Sequence, residues 1–257
     1  MKIKKLLILI PVILLLGFFL YRPAYNLYRD ISFSWEDRSE EAREVKAFAE
    51  SQGISIGEYP WDIIALYESN PETRDFVLNY PFREEADVDL SGYSRDTVPL
   101  FLQWDPMWGY GSYGSSCIAV TGCGPTCLAM AGYYLTGEDT FNPADVAAFA
   151  QKNGYYKKGY GSSWTLISEG SQALGLSAKE LPLVKKKIIT ALEGGSPVIL
   201  ALGEGDFTST GHYIVLTGWN GEAFTLNDPN SPLRSSQTWT YEALEGQIRN
   251  IWAISTS

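Results

Sequence analysis

One cysteine in the sequence has the flanking residues of a nucleophile. Cys123 lies between two glycines and just before Pro125, which fits the first turn of a helix that the apolar stretch 128–135 continues. The positive end of a helix favours a thiolate, and its free amide groups can stabilise an oxyanion. We therefore interpret Cys123 as a candidate nucleophile. A buried, unreactive cysteine is the alternative that this short motif leaves open.

The only histidine of the sequence, His212, is the candidate base. It begins a predicted strand over residues 211–218, and the next predicted strand, over residues 222–227, is followed by Asp228. The start of one strand lies beside the end of the next in an antiparallel hairpin, so we expect the two side chains to be neighbours. Such an acid would fix the imidazole tautomer and leave the other ring nitrogen to face a thiol. A strand-end histidine with a structural role is the alternative.

The remaining cysteines leave two further arrangements open. Cys127 follows Cys123 by one helical turn and is predicted to face the core, whereas Cys117 precedes it in a loop. A disulfide could join Cys117 to Cys127 outside the cell, and an odd number of cysteines leaves at least one thiol unpaired. A zinc site would need all three cysteines and His212, whose spacing lacks the paired ligands usual for zinc, so we expect no metal site.

The predicted helices and strands that carry these residues indicate a mixed α and β domain over residues 98–257. An extended entry segment, residues 98–103, and a loop rich in Gly, Ser and Tyr, residues 109–116, precede the helix of Cys123. Residues 196–202 form a predicted buried strand ahead of the two strands that carry the base and the acid. The nucleophile and the base therefore lie on different halves of the predicted domain.

The composition narrows the classes of function. The chain has 257 residues, 45% of them hydrophobic and only 19% charged, which is typical of a folded protein with a substantial core. Its net charge of −10 makes nucleic-acid binding unfavourable because an acidic surface repels phosphate. Much of the acidity lies in residues 30–97, where we predict helices over 35–51, from Pro60 and from Pro71, and then a linker. We interpret this acidic segment as scaffold or spacer.

The N-terminus predicts a membrane helix. Three lysines within the first five residues precede an unbroken apolar run over residues 6–21, and no cleavage site of small residues follows the run. We therefore predict an uncleaved signal anchor over residues 1–22. The lysines place its start in the cytoplasm and the rest of the chain outside. Secretion after cleavage of a signal peptide is the alternative.

From residue 98 to residue 253 the sequence resembles the papain-like bacteriocin-processing (double-glycine leader) peptidase family, in its stand-alone extracytoplasmic branch. The resemblance rests on Gln103 and on three motifs: GCGPTCLAM at 122–130, GHYIVL at 211–216 and NDPN at 227–230. The acidic stretch NPETRDFVLNYP, residues 70–81, is similar to the upstream region of the same branch.

The resemblance implies a papain-like α+β fold, with a helical half for the nucleophile and an antiparallel sheet for the base. This fold would follow the membrane helix and the short helical segment. The resemblance maps Cys123 as nucleophile, His212 as base and acid, and Asp228 as the group that orients the imidazole. Gln103 would donate to the oxyanion beside the Cys123 backbone amide. Unlike the transporter-linked members, the sequence has no phosphate-binding Gly-Lys-Ser/Thr motif, so leader cleavage is not its expected task.

The expected reaction is therefore acyl transfer from a peptide or amide to the Cys123 thiol and then to water, without a metal or organic cofactor. The substrate would be a peptide or a peptidoglycan-related molecule. The loop over residues 203–208 and Trp164 are candidate walls of the cleft, although Trp164 could equally be a core residue. Two alternatives remain: a catalytically silent module that binds peptides or cell-wall fragments, and a transferase that uses an amine in place of water.

Overall fold

The computed structural model of the protein describes residues 35, 38–84 and 86–257. The chain divides into two compact units, Met1–Glu68 and Ser69–Ser257. The predicted signal anchor, residues 1–22, lies outside the described residues. No helix in the described part of the chain is both long enough and apolar enough to cross a membrane.

The described part of the first unit is helical. Helix α1 spans Glu40–Ser51, a 3₁₀ turn spans Ile56–Glu58, and helix α2 spans Trp61–Ser69. Ser39 begins α1 because its side chain accepts a hydrogen bond from the Ala42 amide, at 3.0 Å. The helix predicted from residue 35 therefore begins at Glu40, after a polar cap that stops it from extending further back.

The second unit begins with short helical turns that pack on the residues after them. A 3₁₀ turn over Pro71–Thr73 leads into α3, Arg74–Leu78, and a second turn spans Tyr80–Phe82. The ring of Phe76 stacks on Tyr110 with centroids 4.1 Å apart, and the Tyr110 hydroxyl donates to the Phe76 carbonyl. This part of the acidic segment thus packs on Tyr110, in the loop that precedes the Cys123 helix.

The helical half of the second unit is centred on one buried helix. Helix α4, Ile118–Thr121, leads into α5, Cys123–Thr136, which packs against α6, Pro143–Lys152. Two small hairpins flank these helices: β1 (Ser112–Tyr113) with β2 (Ser116–Cys117), and β3 (Tyr156–Lys157) with β4 (Gly161–Ser162). Buried residues cover most of the first three turns of α5 because it lies between the sheet and α6.

The other half is an antiparallel sheet. Its strands in the described residues are β5 (Leu176–Glu180), β6 (Val198–Leu202), β7 (His212–Trp219), β8 (Phe224–Asn227), β9 (Thr238–Trp239) and β10 (Ile248–Thr256), in the spatial order β5-β10-β6-β7-β8-β9. The remaining helices are α7 (Ser171–Ala173), which continues a π-helical turn over Leu166–Gly170, then α8 (Lys185–Glu193), α9 (Pro232–Ser235) and α10 (Tyr241–Glu245).

Both faces of the central strands are buried. One face contributes to the core around α5, and the other packs against α8, so every residue of β6 is buried. Parallel strands usually show such continuous apolar runs, but here two covered faces of an antiparallel sheet produce the same pattern. The mixture of helices and antiparallel sheet agrees with the α+β class expected from the sequence.

Candidate active site

Cys123 is the first residue of α5, and close packing explains its two glycine neighbours. A Cβ atom on Gly122 would come within 2.5 Å of the Ile118 carbonyl oxygen, and one on Gly124 within 2.7 Å of the Ser162 side chain. Neither glycine has a positive φ, so both are needed for space and not for backbone conformation. The Cys123 side chain is half-buried, and as the first residue of the helix it precedes amides that lack intrahelical partners.

The hairpin of β7 and β8 brings His212 to Asp228. Val215 pairs with Asn227, so the start of β7 lies beside the residues that follow β8. The His212 Nε2 and Asp228 Oδ1 atoms are 2.7 Å apart. The Asp228 side chain is fully buried, and that of His212 is only 7% exposed. The juxtaposition expected from the strand pattern is therefore present.

The imidazole also reaches the candidate nucleophile. The Cys123 side chain interacts with the His212 ring, and this interaction helps to raise the His212 pKa. Because Nε2 bonds Asp228, Nδ1 is the ring nitrogen that is available to the Cys123 sulfur. The tip of α5 and the start of β7, which are far apart in sequence, thus converge at one site.

The environment of His212 favours its protonated form. Burial by itself lowers the His212 pKa, but the charge of Asp228 and its hydrogen bond, with smaller contributions from Cys123, raise the pKa to about 10. Burial also acts to raise the Asp228 pKa, but His212 and Arg234 outweigh it, so the pKa of this carboxyl is below its usual range. At neutral pH the pair is therefore an imidazolium beside a carboxylate.

Arg234 is a component of the site that the sequence analysis missed. Its Nε donates to Asp228 Oδ2, while His212 occupies Oδ1. The guanidinium carbon also lies 5.8 Å from the ring centroid of Phe207, in the loop that was a candidate cleft wall. A signal existed in the sequence, because Ser231-Pro232 is typical of a helix start and places Arg234 in the first turn.

Gln103 connects the two halves near Cys123. Its side-chain Nε2 donates to the carbonyl of Ala119 in α4 at 2.6 Å, and its backbone amide donates to the carbonyl of Pro229 at 2.7 Å. A side-chain amide has two donor hydrogens, so one remains for another acceptor. Gln103 is therefore held by two hydrogen bonds, one to Ala119 just before the Cys123 helix and one to Pro229 just after Asp228.

Trp164 follows the β3–β4 hairpin and is partly exposed. Ser162 of this hairpin accepts a hydrogen bond from Tyr213 on its backbone carbonyl at 3.1 Å, and its hydroxyl bonds the Tyr113 hydroxyl at 2.7 Å. Trp164 is 49% exposed and has an edge-to-face contact with Trp252. One part of this tryptophan therefore packs on the sheet and the other remains accessible.

The sequence matches one known protein family. The model of the Peptidase_C39 like family matches residues 95–257, which is more than half of the sequence. The chain belongs to the Peptidase_C39-like family. The match confirms the family resemblance that the motifs around Cys123 and His212 indicated.

Two solved structures are similar to this Peptidase_C39-like chain. One is the peptidase domain of Streptococcus ComA, described as a bi-functional ABC transporter involved in a quorum-sensing pathway, with 17% identity and a TM-score of 0.40, covering 53% of this chain and 93% of that chain. The other is a putative C39-like peptidase from Bacillus anthracis, with 16% identity and a TM-score of 0.41, covering 67% of this chain and 99% of that chain. No curated protein matches the sequence.

The other thiols of this C39-like chain lie away from solvent. Cys127 is a free, fully buried thiol, so the disulfide considered between Cys117 and Cys127 is not formed. Burial, with smaller contributions from Cys123 and Asp228, raises the Cys127 pKa well above its ordinary value. The described residues contain no group of three or more potential metal-binding side chains.

The His212 pKa predicts how stability depends on pH. Because the folded-state pKa of about 10 exceeds the unfolded value of about 6.5, the contribution of His212 is complete below pH ~6.5 and is lost as pH rises through ~10. We expect the difference in unfolding free energy between Cys123→Ala and Cys123→Ala/His212→Ala to shrink across that range. Urea denaturation from pH 5 to pH 10 measures it. The shared Cys123→Ala background removes the interaction between His212 and the thiol from both variants, and a difference independent of pH would contradict the assignment.

Proposed function

We propose that this protein is a cysteine peptidase-like hydrolase that cleaves peptide or amide bonds. Membership of the Peptidase_C39-like family supports this class of activity. The observation that carries the proposal is the convergence of the Cys123 thiol, the His212 imidazole and the Asp228 carboxylate. In our assignment Cys123 is the nucleophile, His212 the acid and base, and Asp228 the group that orients the imidazole.

The proposed reaction begins with a thiolate and an imidazolium. The Cys123 sulfur attacks the substrate carbonyl carbon, and the carbonyl electron pair moves to oxygen to give a tetrahedral oxyanion. His212 then donates its Nδ1 proton to the leaving amine as the carbon–nitrogen bond breaks. In the second half, His212 takes a proton from water, which attacks the thioester and releases a carboxylic acid and the free cysteine.

Two donors are assigned to the oxyanion: the Cys123 backbone amide and the remaining N–H of the Gln103 side chain. The amide belongs to the first turn of α5, and the bond to Ala119 holds the Gln103 side chain in place. One such donor contributes about 3 kcal/mol to transition-state stabilisation in comparable sites. We assign the half-exposed Trp164 to a wall of the cleft, and a peptide or peptidoglycan-related molecule to the substrate.

A thiol-reactive peptidyl amide probe tests the nucleophile in the full chain. We expect stoichiometric labelling of Cys123 at neutral pH, and no labelling or acyl-enzyme in Cys123→Ala. That variant should keep its circular dichroism spectrum because one small, half-buried side chain is lost.

Cys117→Ala is the matched control, since it removes a buried thiol from β2 and should leave the labelling of Cys123 unchanged. If the wild-type protein turns over substrate no faster than Cys123→Ala, the mechanism is wrong. If Cys123 of the wild type does not react with the probe, the silent binding module is favoured instead.

The role of His212 is tested by the rate of alkylation at Cys123. His212→Ala should react with iodoacetamide at least about tenfold more slowly at pH 7, because the thiolate loses its cationic partner. Mass spectrometry of the Cys123 peptide over time gives the rate. An unchanged rate in a folded variant would remove His212 from the proposed machinery.

We further propose that the catalytic domain lies outside the cytoplasm, held by residues 1–22 as a single membrane anchor. The apolar run over residues 6–21 and the lysines before it support this assignment. In intact cells without an outer membrane, we expect the full-length chain in the membrane fraction and its degradation by added protease. Protection from the protease would contradict the topology. A soluble form that begins after about residue 22 would support cleavage of a signal peptide.

A further inference from the structure

The loop that carries Asp228 and Arg234 is held by a residue far upstream. The Glu72 carboxylate accepts a hydrogen bond from the Ser231 hydroxyl and a second from the Leu233 amide, at 2.9 Å. Ser231 is almost fully buried, and its hydroxyl oxygen also accepts from the Arg234 amide at 3.0 Å. A chain of hydrogen bonds therefore connects Glu72 through Ser231 to the backbone of Arg234.

A second upstream residue holds the other end of the same loop. The Asn70 side-chain amide donates to the Asn230 carbonyl at 2.6 Å and lies 3.2 Å from the Asn230 side-chain oxygen. The Asn230 amide in turn donates to Asp228 Oδ1 at 2.8 Å, the same oxygen that faces His212. Trp104 adds a further hydrogen bond to the Asn230 carbonyl, at 3.1 Å.

We propose that Asn70 and Glu72 are positioning residues for the Cys123–His212–Asp228 site. They hold residues 228–234 so that one carboxylate oxygen of Asp228 meets His212 and the other meets Arg234. Both residues precede the region that the family model matches, which begins at residue 95. The acidic segment thus contacts the loop that carries Asp228, in addition to the scaffold role expected from the sequence.

The geometry explains why support from outside the loop is needed. Helix α9 has only four residues, so its own backbone hydrogen bonds give it little rigidity. The carboxylate must nevertheless lie within hydrogen-bonding distance of both His212 and Arg234, and displacements of about 1 Å can cost about 100-fold in rate. Glu72 is itself fixed, because the turn over Pro71–Thr73 begins with a hydrogen bond from its amide to the Asn70 side chain.

The single histidine of the sequence allows a direct test that is independent of turnover. His212 can be titrated by NMR in the full chain, expressed without a histidine tag, with isotope-labelled histidine. The titratable groups that His212 faces are Asp228 and Cys123. In Glu72→Ala we expect the Asp228 carboxylate to be held less firmly against His212. The His212 titration midpoint should then fall by about one pH unit or more, and Asp228→Asn should lower it as well.

The same variant tests the effect on reactivity. This part of the proposal rests on the proposed function, and we expect Glu72→Ala to lower the acylation rate of Cys123 by a peptidyl probe about tenfold. Glu72→Gln, which keeps one oxygen acceptor, should recover part of both effects. Asp75→Ala is the matched control, since Asp75 lies three residues further on, is 87% exposed and pairs with the adjacent Arg74.

The outcomes separate the two proposals. A His212 midpoint in folded Glu72→Ala equal to that of the wild type and of Asp75→Ala would overturn the positioning role, whatever the activity. If the midpoint falls but wild-type Cys123 is not acylated, the positioning role stands and the hydrolase proposal fails. If Glu72→Ala does not fold, Ser231→Ala breaks the same chain of hydrogen bonds and should lower the midpoint, and an unchanged midpoint there would likewise overturn the role.

Discussion

The site depends on a carboxylate that is fully buried. An isolated Asp228 anion in this environment would be costly, and the group would take up a proton instead. Two cations prevent this, because the His212 ring occupies one carboxylate oxygen and Arg234 the other. The Asn230 amide adds a third donor. The β7–β8 hairpin and the start of α9 can therefore be understood as the backbone that brings these donors to one carboxylate.

The parts of this arrangement that the sequence predicted are those encoded by local patterns. Pro125 and the apolar residues after it indicate a helix that begins near Cys123, and the helix does begin at this residue. Two neighbouring apolar strands predict a hairpin, and a hairpin places His212 beside Asp228 with no further information. Covalent neighbours and short loops constrain these elements, so their periodicity is a sufficient guide.

The parts that the sequence did not predict are contacts between polar side chains that are distant in the chain. Glu72 and Ser231 are more than 150 residues apart in the sequence. The hydrogen bond from the Gln103 side chain to the Ala119 carbonyl is likewise not indicated by any periodic pattern of apolar residues. Such pairs appear only once the tertiary fold has brought their segments together. Arg234 is an intermediate case. The start of its helix can be predicted from Ser231 and Pro232, but its contact with Asp228, six residues earlier, depends on the turn between them.

Solvent exposure increases from Asp228 through His212 to Cys123, the three proposed catalytic residues. Asp228 is fully buried, the His212 side chain has a small accessible edge, and Cys123 is half-buried at the tip of its helix. Low dielectric at the buried end strengthens the contact between carboxylate and imidazole, and the accessible end leaves the sulfur within reach of a substrate. In the proposed reaction the substrate carbonyl would therefore approach at Cys123, which is the most accessible of the three residues. The burial that separates Asp228 from solvent is thus compatible with a nucleophile that remains accessible at the other end of the same set of contacts.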